Sequence, residues 1–245
     1  MINQKFRAMS EGGQILALIL DELKNRTVLG MPTKNLDDYT RRLCLKYKAK
    51  PSFLGYQGYP AAVCVSINDE IVHGIPGKRV IKENDLVSLD LGIFYGGYHT
   101  DATITFGLGN VSKKSQKLID ITKTALERGI EQAVAGNHIG DISEAVQSFV
   151  EENGFNVIRA LVGHCVGENI HEDPLIPNFG TRRTGPRIKK DMALAIEPMV
   201  TSGSYEVFQA EDNWTYKTSD QSSVAHFEHT VYVTGKKPII LTRKR

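Results

Sequence analysis

Apolar residues Ile15, Leu16, Leu18, Ile19, Leu20 and Leu23 recur at three- and four-residue spacing and predict an amphipathic helix from about Ser10 to Val28. Gly30 and Pro32 stop it. Thr33 then reads as the N-cap of a second helix with Leu36, Tyr39, Leu43 and Tyr47 as its buried stripe. After Pro51 the period changes. Ser52 to Pro60 is rich in aromatics and glycine and is irregular, Ala61 to Ile67 is a β-type run, and Asn68-Asp69 turns the chain into Ile71 to Pro76. Helical periodicity returns from Ser112 through Leu118, Ile121, Ala125, Ile130 and Val134, with Gly136 as its stop. A fourth helix, capped by Asp141, carries Ile142, Ala145, Val146, Phe149 and Val150 and ends at Gly154. Beyond it the pattern is strand and loop, including the apolar runs Met192 to Val200 and Val224 to Val233.

Asp85 to Gly107 organises the rest. Val87, Leu89 and Leu91 alternate with Ser88 and Asp90, Thr103 to Phe106 are β-formers, and Gly96-Gly97 is a hairpin-turn dipeptide. A chain reversal there brings Asp90 and Asp101 close. If they fall directly opposite, both carboxylates share one face. Two apposed acids in apolar strands cannot both stay ionised without a positive partner. A divalent metal, a shared proton and a neighbouring Arg all answer that need.

Glu197 interrupts one later apolar run and Glu228 the other, so each half of the chain holds two strand acids. The order also repeats: two helices, irregular chain with a histidine, then two acid-bearing strands. That layout fits an α+β class, with two sheet halves and helices on the outer face around one cleft. The chain is expected to form one domain over residues 1–245, with halves of about 10–109 and 110–235. Four carboxylates and an imidazole suit two divalent ions sharing a hydroxide.

Composition narrows the class. With 41% hydrophobic and 24% charged residues the chain is ordinary for a globular protein, and a net charge of +2 gives no field for nucleic acid or an anionic membrane. Cys44, Cys64 and Cys165 form no CxxC, which argues against a disulfide framework or a zinc finger. MINQKFRAMSEGG lacks the apolar run of a signal peptide, so a cytoplasmic location is the expectation. No GxSxG is present, and Cys64 in an apolar strand reads as a buried thiol rather than a nucleophile.

His164 and His171 flank the glycine-rich turn Gly163 to Gly167, and His73 sits in a Gly-Pro-bounded loop where functional side chains concentrate. His164 or His171 taken alone is more simply a core residue. His99 and His226 each lie two residues before an acid and are candidates to support it, whereas His138 and His229 read as structural.

At this point a family resemblance becomes specific. GYQGYPAAVCVSINDEIVHGIPG, LVSLDLGIFYGGYHTDATITF, GHCVGENIHEDP, AIEPMV and FEHTVYVT together resemble type I methionine aminopeptidases of the pita-bread fold, across about Phe53 to Thr234. The resemblance implies Asp90, Asp101, His164, Glu197 and Glu228 as ligands of two divalent ions, with Asp101 and Glu228 bridging. It implies His73 and His171 as non-ligand residues that contact substrate. It also implies Tyr56, Tyr59, Cys64 and Trp214 as the lining of a methionine pocket, with Ile170 at a rim position where many relatives carry Phe. The ions implied are cobalt, manganese, iron or zinc, undecided by oxygen-rich ligation. The activity implied is hydrolysis of N-terminal methionine from nascent proteins and peptides by a metal-bridged hydroxide, with Glu197 shuttling the proton. Partners implied are peptide and nascent-chain N-termini, with the ribosome a further candidate, and neither nucleic acid nor membrane; a monomer is expected. The eukaryotic zinc-binding extension and the type II insertion are absent from this sequence.

The nearest rival is an Xaa-Pro aminopeptidase-like member of the same fold, disfavoured because only about 50 residues precede the matching segment and the methionine-pocket residues are present. A non-catalytic peptide- or RNA-binding member would be expected to lose ligands, and a two-metal phosphatase would need cationic clamps beside the acids. Neither feature is seen in the sequence.

Overall fold

The computed structural model describes residues 4–245. Four α-helices and a set of short strands paired only in antiparallel fashion make up the described chain, in the α+β arrangement expected. Helix α1 spans Gln4–Arg26, α2 Lys34–Lys46, α3 Lys113–Glu131 and α4 Ile139–Glu152. None is long and apolar enough to cross a membrane.

Helix ends follow local hydrogen bonding more closely than hydrophobic period. Helix α1 begins before Ser10 and stops at Arg26, short of Val28, where the Thr27 hydroxyl donates to the Leu23 carbonyl and closes the last turn. Thr33 stands at the N-cap position expected of it, but its side chain makes no capping hydrogen bond. Its backbone is already helical (φ −59°, ψ −27°), and its hydroxyl accepts from Gly77 N at 2.8 Å, tying α2 to the following loop instead. Ser112 does cap α3, accepting from Ser115 N at 3.0 Å, and that helix ends at Glu131, before Val134. Asp141 is the third residue of α4 rather than its cap: its carboxylate reaches back to accept from His138 N at 2.7 Å.

The longest pairing is the hairpin Leu86–Tyr95 with Tyr98–Gly107, closed by Gly96 (φ 59°) and Gly97 (φ 90°). Positive φ at both turn positions suits the right-handed strand twist, and glycine takes it without strain. Cys64–Ile67 pairs on the other edge of Leu86–Tyr95, placing Cys64 opposite Asp90. In the second half, Ala193–Ile196 lies between Val162–Cys165 and His229–Tyr232.

Each half keeps a core of its own. Leu16, Ile19, Leu20, Leu23, Leu36 and Leu43 pack on Val87, Leu89, Leu91 and Ile93. Leu118, Ala125, Leu126, Ile142, Val146 and Val150 pack on Leu194, Ile196, Val200 and Val231. A third cluster, including Met9, Phe53, Tyr59, Cys64, Val166, Ile170 and Ala195, joins the two.

The halves are stitched together along Asp101 to Thr105. Thr103 and Glu228 exchange backbone hydrogen bonds, Asp101 N donates to the Thr230 hydroxyl, and that hydroxyl donates to the Asp101 carbonyl. Thr105 Oγ1 donates to the His226 carbonyl and accepts from His226 N. Partners 121 to 129 residues apart thereby hold Asp101 and Glu228 against each other.

Candidate metal and substrate site

A cavity of about 280 Å³ opens at the seam. Asp90, Asp101, His164, Glu197 and Glu228 all line it, as do His73, His171, Tyr56, Tyr59, Cys64 and Trp214. Ile170 is buried in the apolar cluster that holds Tyr59, Cys64 and Val166, against which Trp214 packs.

The backbone presents each acid differently. Asp90 faces Thr103 across the hairpin and Asp101 faces Gly92, so the two acids are diagonal neighbours, not directly opposite. Their shared face survives because the offset is two residues and side chains alternate with period two. Gly92 gives up its side chain there: a Cβ would lie 2.8 Å from Ser52 Cβ and 3.0 Å from Phe53. Neither glutamate lies within a strand as the apolar runs suggest. Glu197 falls in the break between Ala193–Ile196 and Met199–Thr201, and Glu228 between Val224–His226 and His229–Tyr232. Pro198 lacks the N–H that would continue one ladder. Glu228 instead turns to the neighbouring half, accepting a 2.9 Å hydrogen bond from the Thr103 hydroxyl.

Atoms of Asp101, His164 and Glu228 lie within 4.8 Å of one another. His164 Nδ1 donates to the Cys165 carbonyl at 2.9 Å, leaving Nε2 with its lone pair turned toward Glu197 Oε1, 3.7 Å away. Burial pushes Glu197 up to about 8 and Asp90 up to about 6, the latter held from rising further by His226. Burial, then repulsion from neighbouring acids, raises Asp101 and Glu228 well above the usual carboxylate range. Burial also lowers His164 to about 4, keeping its imidazole neutral. Asp90 Oδ1 and Asp101 Oδ1 are buried without a hydrogen-bond partner. Native proteins rarely tolerate such orphaned oxygens, and four crowded carboxylates beside a neutral imidazole are ionised together only around a cation. The donor set therefore fits divalent cations.

Around that centre, His171 lies with its ring 4.4 Å from that of His164 and its Nδ1 3.0 Å from the Tyr56 hydroxyl. His73, at φ 61°, meets the edges of Trp214 and Tyr216. Burial lowers His73 to about 4, so it too is neutral. Tyr59 packs edge-on to Trp214 at 5.1 Å and donates to the Gly74 carbonyl. Burial, helped by Asp90, holds the Cys64 thiol well above its usual value, so it is a neutral wall.

The remaining histidines divide. His99 Nδ1 bonds Ser52 Oγ at 2.8 Å and stays off the cavity wall, so it braces Ser52 rather than Asp101. His226 turns toward Glu197, not Glu228, because the strand breaks between 226 and 228. His138 flanks α4 and His229 bonds Thr242, both structural. Residues that sequence reasoning missed include Thr103 and Thr230, whose hydroxyls meet Glu228 and Asp101, and lining residues such as Phe53, Val72, Leu161, Leu175 and Met199. Neither left a local signal: a strand threonine is ordinary until its distant partner is known, and the lining is marked only by the cavity it surrounds.

Comparison with known proteins adds the context. The family model of metallopeptidase family M24 matches residues 7–235. Methionine aminopeptidase 1 of Bacillus subtilis is 46% identical over 235 residues, covering 96% of this chain and 95% of that protein. Methionine aminopeptidase of Aquifex aeolicus is 42% identical, covering 98% and 96%. Among solved structures, methionine aminopeptidase from Thermotoga maritima is similar with TM-score 0.97 at 42% identity, covering 100% of this chain and 99% of that one. Prolidase from Pyrococcus furiosus shares the fold alone, with TM-score 0.81 at 20% identity over 99% of this chain and 65% of that one.

Proposed function

The chain belongs to metallopeptidase family M24 and has the pita-bread fold; from that premise we propose that it is a methionine aminopeptidase, releasing methionine from peptide and nascent-chain N-termini. The observation that carries the reading is the convergence of Asp90, Asp101, His164, Glu197 and Glu228 on one cavity whose adjoining wall is Tyr59, Cys64 and Trp214.

Asp90, Asp101, His164, Glu197 and Glu228 would hold two divalent cations. When bound, such cations acidify water and polarise a carbonyl. Glu197, at the cavity wall, takes the proton from the attacking water and returns it to the leaving amine. His171, its ring steadied by the Tyr56 hydroxyl, faces the carbonyl oxygen and stabilises charge that develops there. His73, packed against Trp214 and Tyr216, positions the peptide near the scissile amide. Buried carboxylates hold a free α-amine beside the site, which restricts cleavage to the first residue. The aromatic and thiol wall suits an unbranched thioether, being apolar and polarisable.

The test is cation-dependent release of methionine from a short peptide, with the N-acetylated peptide and an Xaa-Pro peptide alongside. Release from the free-amine methionine peptide alone is expected. Cleavage of the acetylated peptide, or preference for Xaa-Pro, would overturn the assignment.

A further inference from the structure

His226 is the one residue at this site whose burial is not accounted for by the roles above. The residue is only 1% exposed, yet Nδ1 and Nε2 both lack a hydrogen-bond partner among the described residues. An imidazole always carries at least one N–H, and leaving it unsatisfied in the interior costs about 1–3 kcal/mol. The ring is not loosely placed. The backbone N–H and carbonyl of His226 are both bonded to Thr105 Oγ1, at 2.8 and 2.7 Å, and His226 is paired with Met199 across the sheet.

What this rigid segment points at is Glu197. His226 Nε2 lies 3.4 Å from Glu197 Oε2, while His164 Nε2 lies 3.7 Å from Glu197 Oε1 on the other side. The carboxylate is thus bracketed by two imidazoles. His164 has spent its Nδ1 proton on a carbonyl and presents a lone pair, whereas neither nitrogen of His226 is committed. The Glu197 backbone is fixed from outside by Asn178 Nδ2, which donates to its carbonyl at 3.1 Å. Only the side-chain torsions remain to be set, and no other hydrogen-bond donor reaches the Glu197 carboxylate among the described residues.

We propose that His226 is a positioning residue for Glu197: its Nε2–H donates to Oε2 and so holds Oε1 toward His164 for cation binding. Carboxylates that hold metals are characteristically fixed by such an outer partner, and losing it typically lowers metal affinity by about 10- to 100-fold. The inference rests on the metallopeptidase reading and adds a residue to it.

The test compares manganese binding by titration calorimetry, and the visible absorption of the cobalt-loaded protein, in the parent, His226→Gln and His226→Leu. Gln places an amide N–H near the Nε2 position; Leu fills similar space with no donor. His226→Leu is expected to lose about tenfold or more in manganese affinity and to alter the cobalt spectrum, with far-UV circular dichroism unchanged. His226→Gln should lie closer to the parent. Equal affinities for parent and His226→Leu would overturn the role of His226 while leaving the peptidase reading intact. Equal losses in the two variants would overturn the donor and leave only packing. No cation binding by the parent itself would overturn both proposals. Should His226→Leu fail to fold, His226→Met replaces it in the same comparison, with the same outcomes.

Discussion

At the scale of single residues, charge and hydrogen bonding decide more than size. Glu197 is expected to be the most sensitive position: Glu197→Gln should lower turnover by about 10²- to 10⁴-fold, the range of a lost acid–base group, with circular dichroism unchanged. A variant that cleaves like the parent would remove the proton-shuttle role. Thr103 illustrates a different economy. Its hydroxyl donates to Glu228 across the seam, and the residue is 1% exposed. Thr103→Val keeps the shape and leaves a buried carboxylate short of one partner, which should cost about 1–3 kcal/mol in urea unfolding of the cation-free protein. Asp90, Asp101 and the histidines were legible in the sequence because acids and imidazoles are conspicuous in apolar surroundings. Thr103 was not, since a threonine in a strand is ordinary until its partner 125 residues away is known.

At the scale of elements, close approach and capping take over. Gly163 precedes His164 in the strand Val162–Cys165, and a Cβ there would lie 2.5 Å from the Ala195 carbonyl oxygen and 3.3 Å from Glu197 Cγ. Gly163→Ala must push two strands apart, and a loss of about 1–3 kcal/mol together with weakened cation binding is expected by thermal melting with and without manganese. The start of α4 gives a pH-dependent case. Asp141 accepts from His138 N and Arg183 N, and the first of these holds its carboxyl below the usual range. A depressed folded value means that Asp141 stabilises fully above the unfolded carboxylate range near pH ~4 and loses that contribution as pH falls through the folded value. Asp141→Ala should therefore be less stable than the parent at neutral pH by about 1 kcal/mol, the scale of a lost hydrogen bond, with the gap in urea unfolding shrinking in acid. Hydrophobic period found all four helices, but their ends were set by Thr27, Gly77 and His138, partners the period does not report.

At the scale of the whole molecule, two separately cored halves meet at a seam of buried acids, so cation binding should be coupled to folding. Manganese at about 100 times its dissociation constant should stabilise the protein by about 2.7 kcal/mol, reversed by a chelator, with a melting temperature that depends on cation concentration. A melting temperature indifferent to divalent cations would count against the whole site. The sequence by itself determined the four helices, the carboxylate hairpin and the residue types of the site, because period and charge are local properties of a chain. Only the tertiary structure decided that Glu197 and Glu228 sit in strand breaks, that Ile170 is buried in the cluster with Tyr59 and Cys64, and that His226 faces Glu197. Each of those depends on how one half is registered against the other, and register across more than a hundred residues is set by packing that no local pattern encodes.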